Sequence, residues 1–128
     1  MSSVLIVDDD ERMVATLTDI LSARQYAVST AASWASALAQ MRRDTFDVVR
    51  MDIRMPGLNG VEALQVMKRT TPAVKVIMMT AFMRDEMVEQ ARKSSAVAVV
   101  HKPLDLDNVL AMVARVVGPG GDGALGAR

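Results

Sequence analysis

The chain has 128 residues, which suits a single domain with its own hydrophobic core. Its 15 basic and 15 acidic residues cancel, so no strong field directs it to nucleic acid or anionic lipid. The lack of cysteine excludes disulfides and thiol chemistry, and no apolar run approaches the ~20 residues of a membrane span. With no export signal at its start, the sequence predicts a cytoplasmic protein.

The first part of the chain predicts two strands, each followed by a helix. Residues 4–7 are continuously apolar, which favours a strand buried on both faces of a parallel sheet. Apolar residues at helical spacing predict an amphipathic helix over 11–24. A short strand follows at 27–30, and Ser33 is the predicted N-cap of a helix over 34–43. The inward positions of the two helices are Met13, Val14, Leu17, Ile20 and Leu21, then Trp34, Ala37, Leu38 and Met41.

The rest of the chain predicts three more strand–helix pairs and a tail. The strands are expected at 46–52, 74–80 and 96–101, and the helices at 60–69, 84–94 and 105–117. Helix 84–94 is highly charged with a thin apolar stripe, so we expect it to be more mobile than its neighbours. Five of the seven glycines lie in residues 118–128, which we interpret as a flexible tail or linker after a domain of residues 1–117.

Five alternations of strand and helix predict an α/β fold, a three-layer doubly wound parallel sheet with right-handed crossovers. Ligands bind such sheets at the carboxyl ends of the strands. Asp8 and Asp9 follow the first strand, Asp52 ends the third, Thr80 ends the fourth and Lys102 follows the fifth. Their common position at one edge predicts a functional site.

The residue types at this edge favour phosphoryl transfer. Carboxylates without histidine or cysteine favour Mg²⁺ over a transition metal. With the metal and Lys102 offsetting charge on phosphoryl oxygens, a carboxylate can act as nucleophile and form an acyl phosphate. Asp52 stands alone before the tight loop at 53–59, so we predict that it is the phosphoryl acceptor. Asp8–Asp10 resemble a metal cradle, and the alternative for this triplet is an N-cap for the following helix.

Three other functions remain as alternatives. An aspartate-nucleophile phosphatase of the haloacid dehalogenase type would use Asp8, Asp10, Thr80 and Lys102, but it leaves Asp52 without a role. A flavin-binding electron carrier would need a phosphate loop after the first strand, and that loop is triply acidic. The third alternative is an interaction module that no longer accepts phosphate.

Four motifs resemble those of response-regulator receiver domains, the phosphoacceptor half of bacterial two-component signalling. They are LIVDDD at 5–10, MDIRMPGLNG at 51–60, IMMTA at 77–81 and HKP at 101–103. Over residues 3–117 the resemblance implies strand order 2-1-3-4-5. It also implies a phosphoryl acceptor with slow autodephosphorylation, loaded by a sensor histidine kinase or a phosphotransfer protein, and not a turnover enzyme.

The resemblance also implies roles for individual residues. Asp52 would accept the phosphoryl group. Asp9 would bind Mg²⁺ directly and Asp8 would assist through water. Asp52 and the backbone carbonyl of Arg54 would complete the protein's ligands to the metal.

Further residues are implied to contact the phosphoryl group or to transmit its presence. Thr80 would donate a hydrogen bond to the phosphoryl group and shift on activation. Lys102 would pair with it, aimed by a cis bond to Pro103. Family analogy predicts protein contacts and homodimerisation through residues 84–117. It predicts no membrane contact and no direct nucleic-acid binding by this chain.

Several positions depart from the family pattern. Val99 replaces the usual aromatic switch residue. Arg50 stands where an apolar residue is usual, on the same side of its strand as Asp52, so it must snorkel or find an acid partner. By family analogy, the residues two past the acceptor and two past the threonine determine how long the phosphoryl group survives. Here they are Arg54 and Phe82, which are bulky and orient water poorly, so the resemblance implies that the phosphorylated form decays over minutes or longer.

Overall fold

The computed structural model describes residues 2–52, 60–80, 93, 98–101 and 106–117. Its strands are β1 (Ser3–Val7), β2 (Ala27–Ala31), β3 (Val48–Asp52), β4 (Lys75–Thr80) and β5 (Ala98–His101). Its helices are α1 (Glu11–Ala23), α2 (Trp34–Arg43), α3 (Gly60–Thr70) and α4 (Leu106–Val117). Almost all of the predicted helix over 84–94 and the whole tail over 118–128 lie outside the described residues. None of the described helices has the length and apolar character needed to cross a bilayer.

The five strands form one parallel sheet in the order β2-β1-β3-β4-β5, the order that the family resemblance implies. The pairing of β1 with β3 makes Asp8, the residue after β1, the neighbour of Asp52. Asp52 pairs with Met79 in β4, and the next residue, Thr80, pairs with His101 in β5. The strands therefore end at nearly the same level, and this register aligns their last residues along one edge.

Each face of the sheet is covered by its own apolar cluster, because successive strand residues point to opposite faces. The α2–α3 face contains Leu5, Val7, Ala31, Trp34, Ala37, Met41, Phe46, Val49, Met51, Ala63, Leu64, Met67, Val74, Val76 and Met78. The α1–α4 face contains Val4, Ile6, Leu17, Leu21, Val48, Ile77, Met79, Val113 and Val116. All five residues of β3 are buried, so this strand lies at the centre of both clusters.

Local contacts determine where several elements begin. Ser33 is confirmed as the N-cap of α2, since its hydroxyl accepts the N–H of Ser36 at 3.1 Å. The strand predicted over 46–52 instead begins at Val48. Asp47 accepts the N–H of Ser3 through its carboxylate at 2.8 Å, a side-chain contact outside the strand ladder.

Candidate functional site

The last residue of β3 brings a carboxylate to the edge where the strands end. Asp52 is only 7% exposed, although it is charged. Strand alternation places Arg50 and Asp52 on the same side as Val48, which belongs to the α1–α4 face. The site is therefore built into the apolar layer between the sheet and helices α1 and α4.

The neighbouring strand ends at a second buried carboxylate, Asp8, which is 1% exposed. Its Oδ1 accepts the N–H of Asp10 at 2.9 Å, and its Oδ2 accepts a hydrogen bond from Nη1 of Arg50 at 2.6 Å. Its own N–H donates to the carbonyl of Ala31 in β2 at 3.1 Å. Backbone and side-chain contacts therefore both fix the position of this carboxylate.

The register of the sheet explains how Arg50 reaches Asp8. Arg50 pairs with Ile6 on β1, and Asp8 lies two residues beyond Ile6 on the same side. Such a diagonal separation is within reach of a long side chain. The sequence predicts that Arg50 either snorkels or finds an acid partner. The structure confirms the acid partner, which is Asp8. The sequence alone does not identify Asp8 as that partner. Strand alternation places Asp8 and Arg50 on the same side of the sheet, and the register of β1 against β3 in the structure brings them together.

The three consecutive aspartates have different environments. Asp8 is buried and paired, whereas Asp9 is exposed. Asp10 is the N-cap of α1, because its Oδ1 accepts the N–H groups of Arg12 and Met13 at 3.1 and 3.2 Å. The capping alternative is therefore right for Asp10. The arrangement disfavours the phosphatase alternative, which needs Asp8 and Asp10 together as catalytic acids.

The remaining predicted site residues fall into two groups. Some have a defined position in a strand, and the others lie outside the described residues. Thr80 ends β4 and pairs with His101, the residue before Lys102. Val99 lies within β5 and pairs with Met78. The residues outside the described ranges are Arg54, Phe82, Lys102 and Pro103. The register thus brings Asp8, Asp52 and Thr80 to one edge.

The donors at this edge fit a hard divalent cation. Asp8, Asp9 and Asp52 offer only carboxylate oxygens, the ligands that Mg²⁺ prefers. Oδ1 of Asp8 accepts the N–H of Asp10 and Oδ2 accepts Nη1 of Arg50, so the carboxylate is held in a fixed orientation at this edge. Over the described ranges, no three acidic or histidine side chains converge on a ready-made metal site.

Comparison with known proteins identifies the family. Residues 4–114 match the model of the response regulator receiver domain. The chain is 36% identical over 114 residues to the transcriptional regulatory protein ZraR of Escherichia coli K12. That match covers 89% of this chain and 26% of ZraR, so the chain spans about a quarter of its length.

Two solved structures share the fold. A CheY-like receiver domain protein from Methanospirillum hungatei superposes with a TM-score of 0.88 and 27% identity, covering 91% of this chain and 94% of that one. The response regulator TrrA from Thermotoga maritima, solved with Mg²⁺-BeF, gives a TM-score of 0.77 and 27% identity, covering 91% and 99%. The chain belongs to the response-regulator receiver family, whose members are generally not turnover enzymes.

Proposed function

We propose that this receiver domain accepts a phosphoryl group on Asp52 from the phosphohistidine of a sensor histidine kinase or a phosphotransfer protein, with Mg²⁺ as cofactor. The observation that carries the proposal is the buried carboxylate of Asp52 beside Asp8, at the ligand-binding edge of a parallel sheet. Burying a carboxylate is unfavourable, so one held there by a fully buried strand fits a nucleophile better than a turn residue.

In the proposed transfer, a carboxylate oxygen of Asp52 attacks phosphorus. A new P–O bond forms while the P–N bond to the donor imidazole breaks, and the bonding electron pair leaves on that nitrogen. The Thr80 hydroxyl would donate to a phosphoryl oxygen, and the Lys102 ammonium would offset its charge. The position of Thr80 one residue beyond the partner of Asp52 supports its assignment.

The metal would be held by Asp9, by Asp8 directly or through water, by Asp52 and by the carbonyl of Arg54. When bound, Mg²⁺ neutralises charge on the phosphoryl oxygens during transfer. The all-oxygen donor set supports this assignment, as does the Mg²⁺-BeF bound to the related TrrA. The protein's own contribution is to hold two carboxylates side by side out of water.

The proposal extends to the organisation of the chain. Residues 1–117 are assigned to the receiver domain, and the glycine-rich composition of 118–128 supports a tail or linker after it. Protein contacts, including homodimerisation, use the surface over 84–117, and this chain itself makes no direct contact with nucleic acid. Val99 in place of the aromatic switch residue means that output from this domain relies on Thr80 and its surroundings.

Labelling with acetyl phosphate tests the phosphoryl transfer. In Mg²⁺ the protein should gain the mass of one phosphate, and Asp52→Asn or the omission of Mg²⁺ should abolish the gain. Asp44→Asn is the matched control, because Asp44 is an exposed acid before β3, away from the carboxyl edge. After removal of acetyl phosphate, the label should persist for minutes or longer. Equal labelling of Asp52→Asn and the wild type would contradict the assignment.

A further inference from the structure

We propose that Arg50 is a permanent counter-ion of the phosphoryl-acceptor site and that its positive charge weakens the binding of Mg²⁺ there. The inference rests on the proposed function, because it concerns the metal that this function requires. Arg50 holds Asp8, a proposed metal ligand, through a buried ion pair. The protein therefore holds a fixed positive charge against one of the carboxylates that would bind the metal. This charge reduces the protein's affinity for Mg²⁺.

The geometry of the pair is the first support. Nη1 of Arg50 lies 2.6 Å from Oδ2 of Asp8, and their side chains are 2% and 1% exposed. A hydrogen bond between ionised partners is stronger than one between neutral groups. Burial strengthens it further, since little water screens the two charges. Arg50 thus fixes the orientation of a proposed metal ligand.

The surroundings of Arg50 are the second support. In register it pairs with Ile6 and Ile77, which belong to the apolar α1–α4 face. Its Nε and Nη2 are buried and have no hydrogen-bond partner among the described residues. An apolar side chain usually serves stability in such a place as well as or better than a buried ion pair. The stability of the sheet therefore does not explain Arg50, whereas its charge beside the acidic edge does.

The charge balance is the third support. Arg50 adds one buried positive charge beside the three acids proposed for the site, Asp8, Asp9 and Asp52, in addition to the proposed charge of Lys102. The guanidinium of Arg50 provides a counter-charge to the buried carboxylate of Asp8. A divalent cation that approaches Asp8 instead meets repulsion from a guanidinium held against the same carboxylate. Arg50 is accordingly a positioning residue, which acts through Asp8.

Magnesium titration by calorimetry tests this opposition. Arg50→Met keeps an unbranched stem but removes the charge, and it should bind Mg²⁺ about tenfold more tightly than the wild type. Arg43→Met removes the same charge from an exposed site and should leave Mg²⁺ affinity unchanged. Saturating Mg²⁺ should also raise the Tm of Arg50→Met more than that of the wild type. Equal or weaker binding by Arg50→Met would overturn the inference.

A second measurement uses the wild type and so does not depend on the folding of Arg50→Met. In an NMR titration the Nε–H resonance of Arg50 should move saturably with Mg²⁺, with the same Kd as calorimetry. A resonance that stays in place while Mg²⁺ binds would overturn the inference. Acetyl phosphate labelling separates the two proposals. If the wild-type protein neither binds Mg²⁺ nor becomes labelled, the proposed function is refuted. If the wild type binds Mg²⁺ and becomes labelled, but its Mg²⁺ affinity equals that of Arg50→Met, only the role of Arg50 is refuted.

Discussion

The two faces of the sheet differ in what they bury. The α2–α3 face buries an apolar cluster that includes Trp34, Met51 and Leu64. The buried charged residues within the described ranges are Asp8, Arg50 and Asp52, and strand alternation places all three on the side of the α1–α4 face. Among the described residues, buried charge therefore lies on the α1–α4 side, within an otherwise apolar layer. Within the described ranges, the unfavourable burial of charge is thus confined to the side of the sheet that holds the site.

The largest expected effect lies on the charged side. Asp8→Ala leaves Arg50 buried without its acid and should lower the free energy of unfolding by about 3–5 kcal/mol. Asp9→Ala is the matched control and should change stability little, because Asp9 is exposed. Urea denaturation in metal-free buffer measures both changes.

The double variant sharpens this result. Combining Asp8→Ala with Arg50→Met removes both charges and should recover much of the loss, because no ionised group is then left unpaired. If the double variant is no more stable than Asp8→Ala, the buried pair is not the source of the loss.

A smaller effect of a different kind is expected on the apolar side. Leu64 is fully buried in the α2–α3 face, so Leu64→Ala should cost about 2–4 kcal/mol through lost burial and a cavity. Arg69→Ala, at an exposed position of the same helix, should be nearly neutral. The Leu64→Ala protein that remains folded should still accept phosphate on Asp52. A specific loss of labelling, with native stability retained, would show that the apolar face also acts in the chemistry.

The smallest effects compare two helix caps on opposite sides of the sheet. Asp10→Ala and Ser33→Ala should each lower stability by about 1 kcal/mol, as measured by thermal denaturation. Asp10 lies in the acidic triplet, yet its Oδ1 is engaged in capping, so Asp10→Ala should reduce Mg²⁺ affinity less than Asp9→Ala. An equal reduction would place Asp10 in the metal site.

Local patterns made much of the fold predictable from sequence. The first strand was predictable from its continuous apolar run at 4–7, and the first helix from the spacing of Leu17 and Leu21. All of these residues are buried, and a strand or helix needs such an apolar side whatever it packs against. The cap at Ser33 depends on residues within one turn. Asp52 and Thr80 could be assigned to one edge because strand–helix alternation directs parallel strands the same way.

By itself the sequence determined the order of the elements, the apolar sides of the helices and the set of polar residues at the strand ends, because these depend on neighbours in the chain. The tertiary structure was needed to show that Asp8 is paired with Arg50 and that Asp9 is exposed. The pair of Arg50 and Asp8 joins residues 42 positions apart, and it depends on the register of β1 against β3. No local pattern encodes such a register, because it results from the packing of the whole sheet.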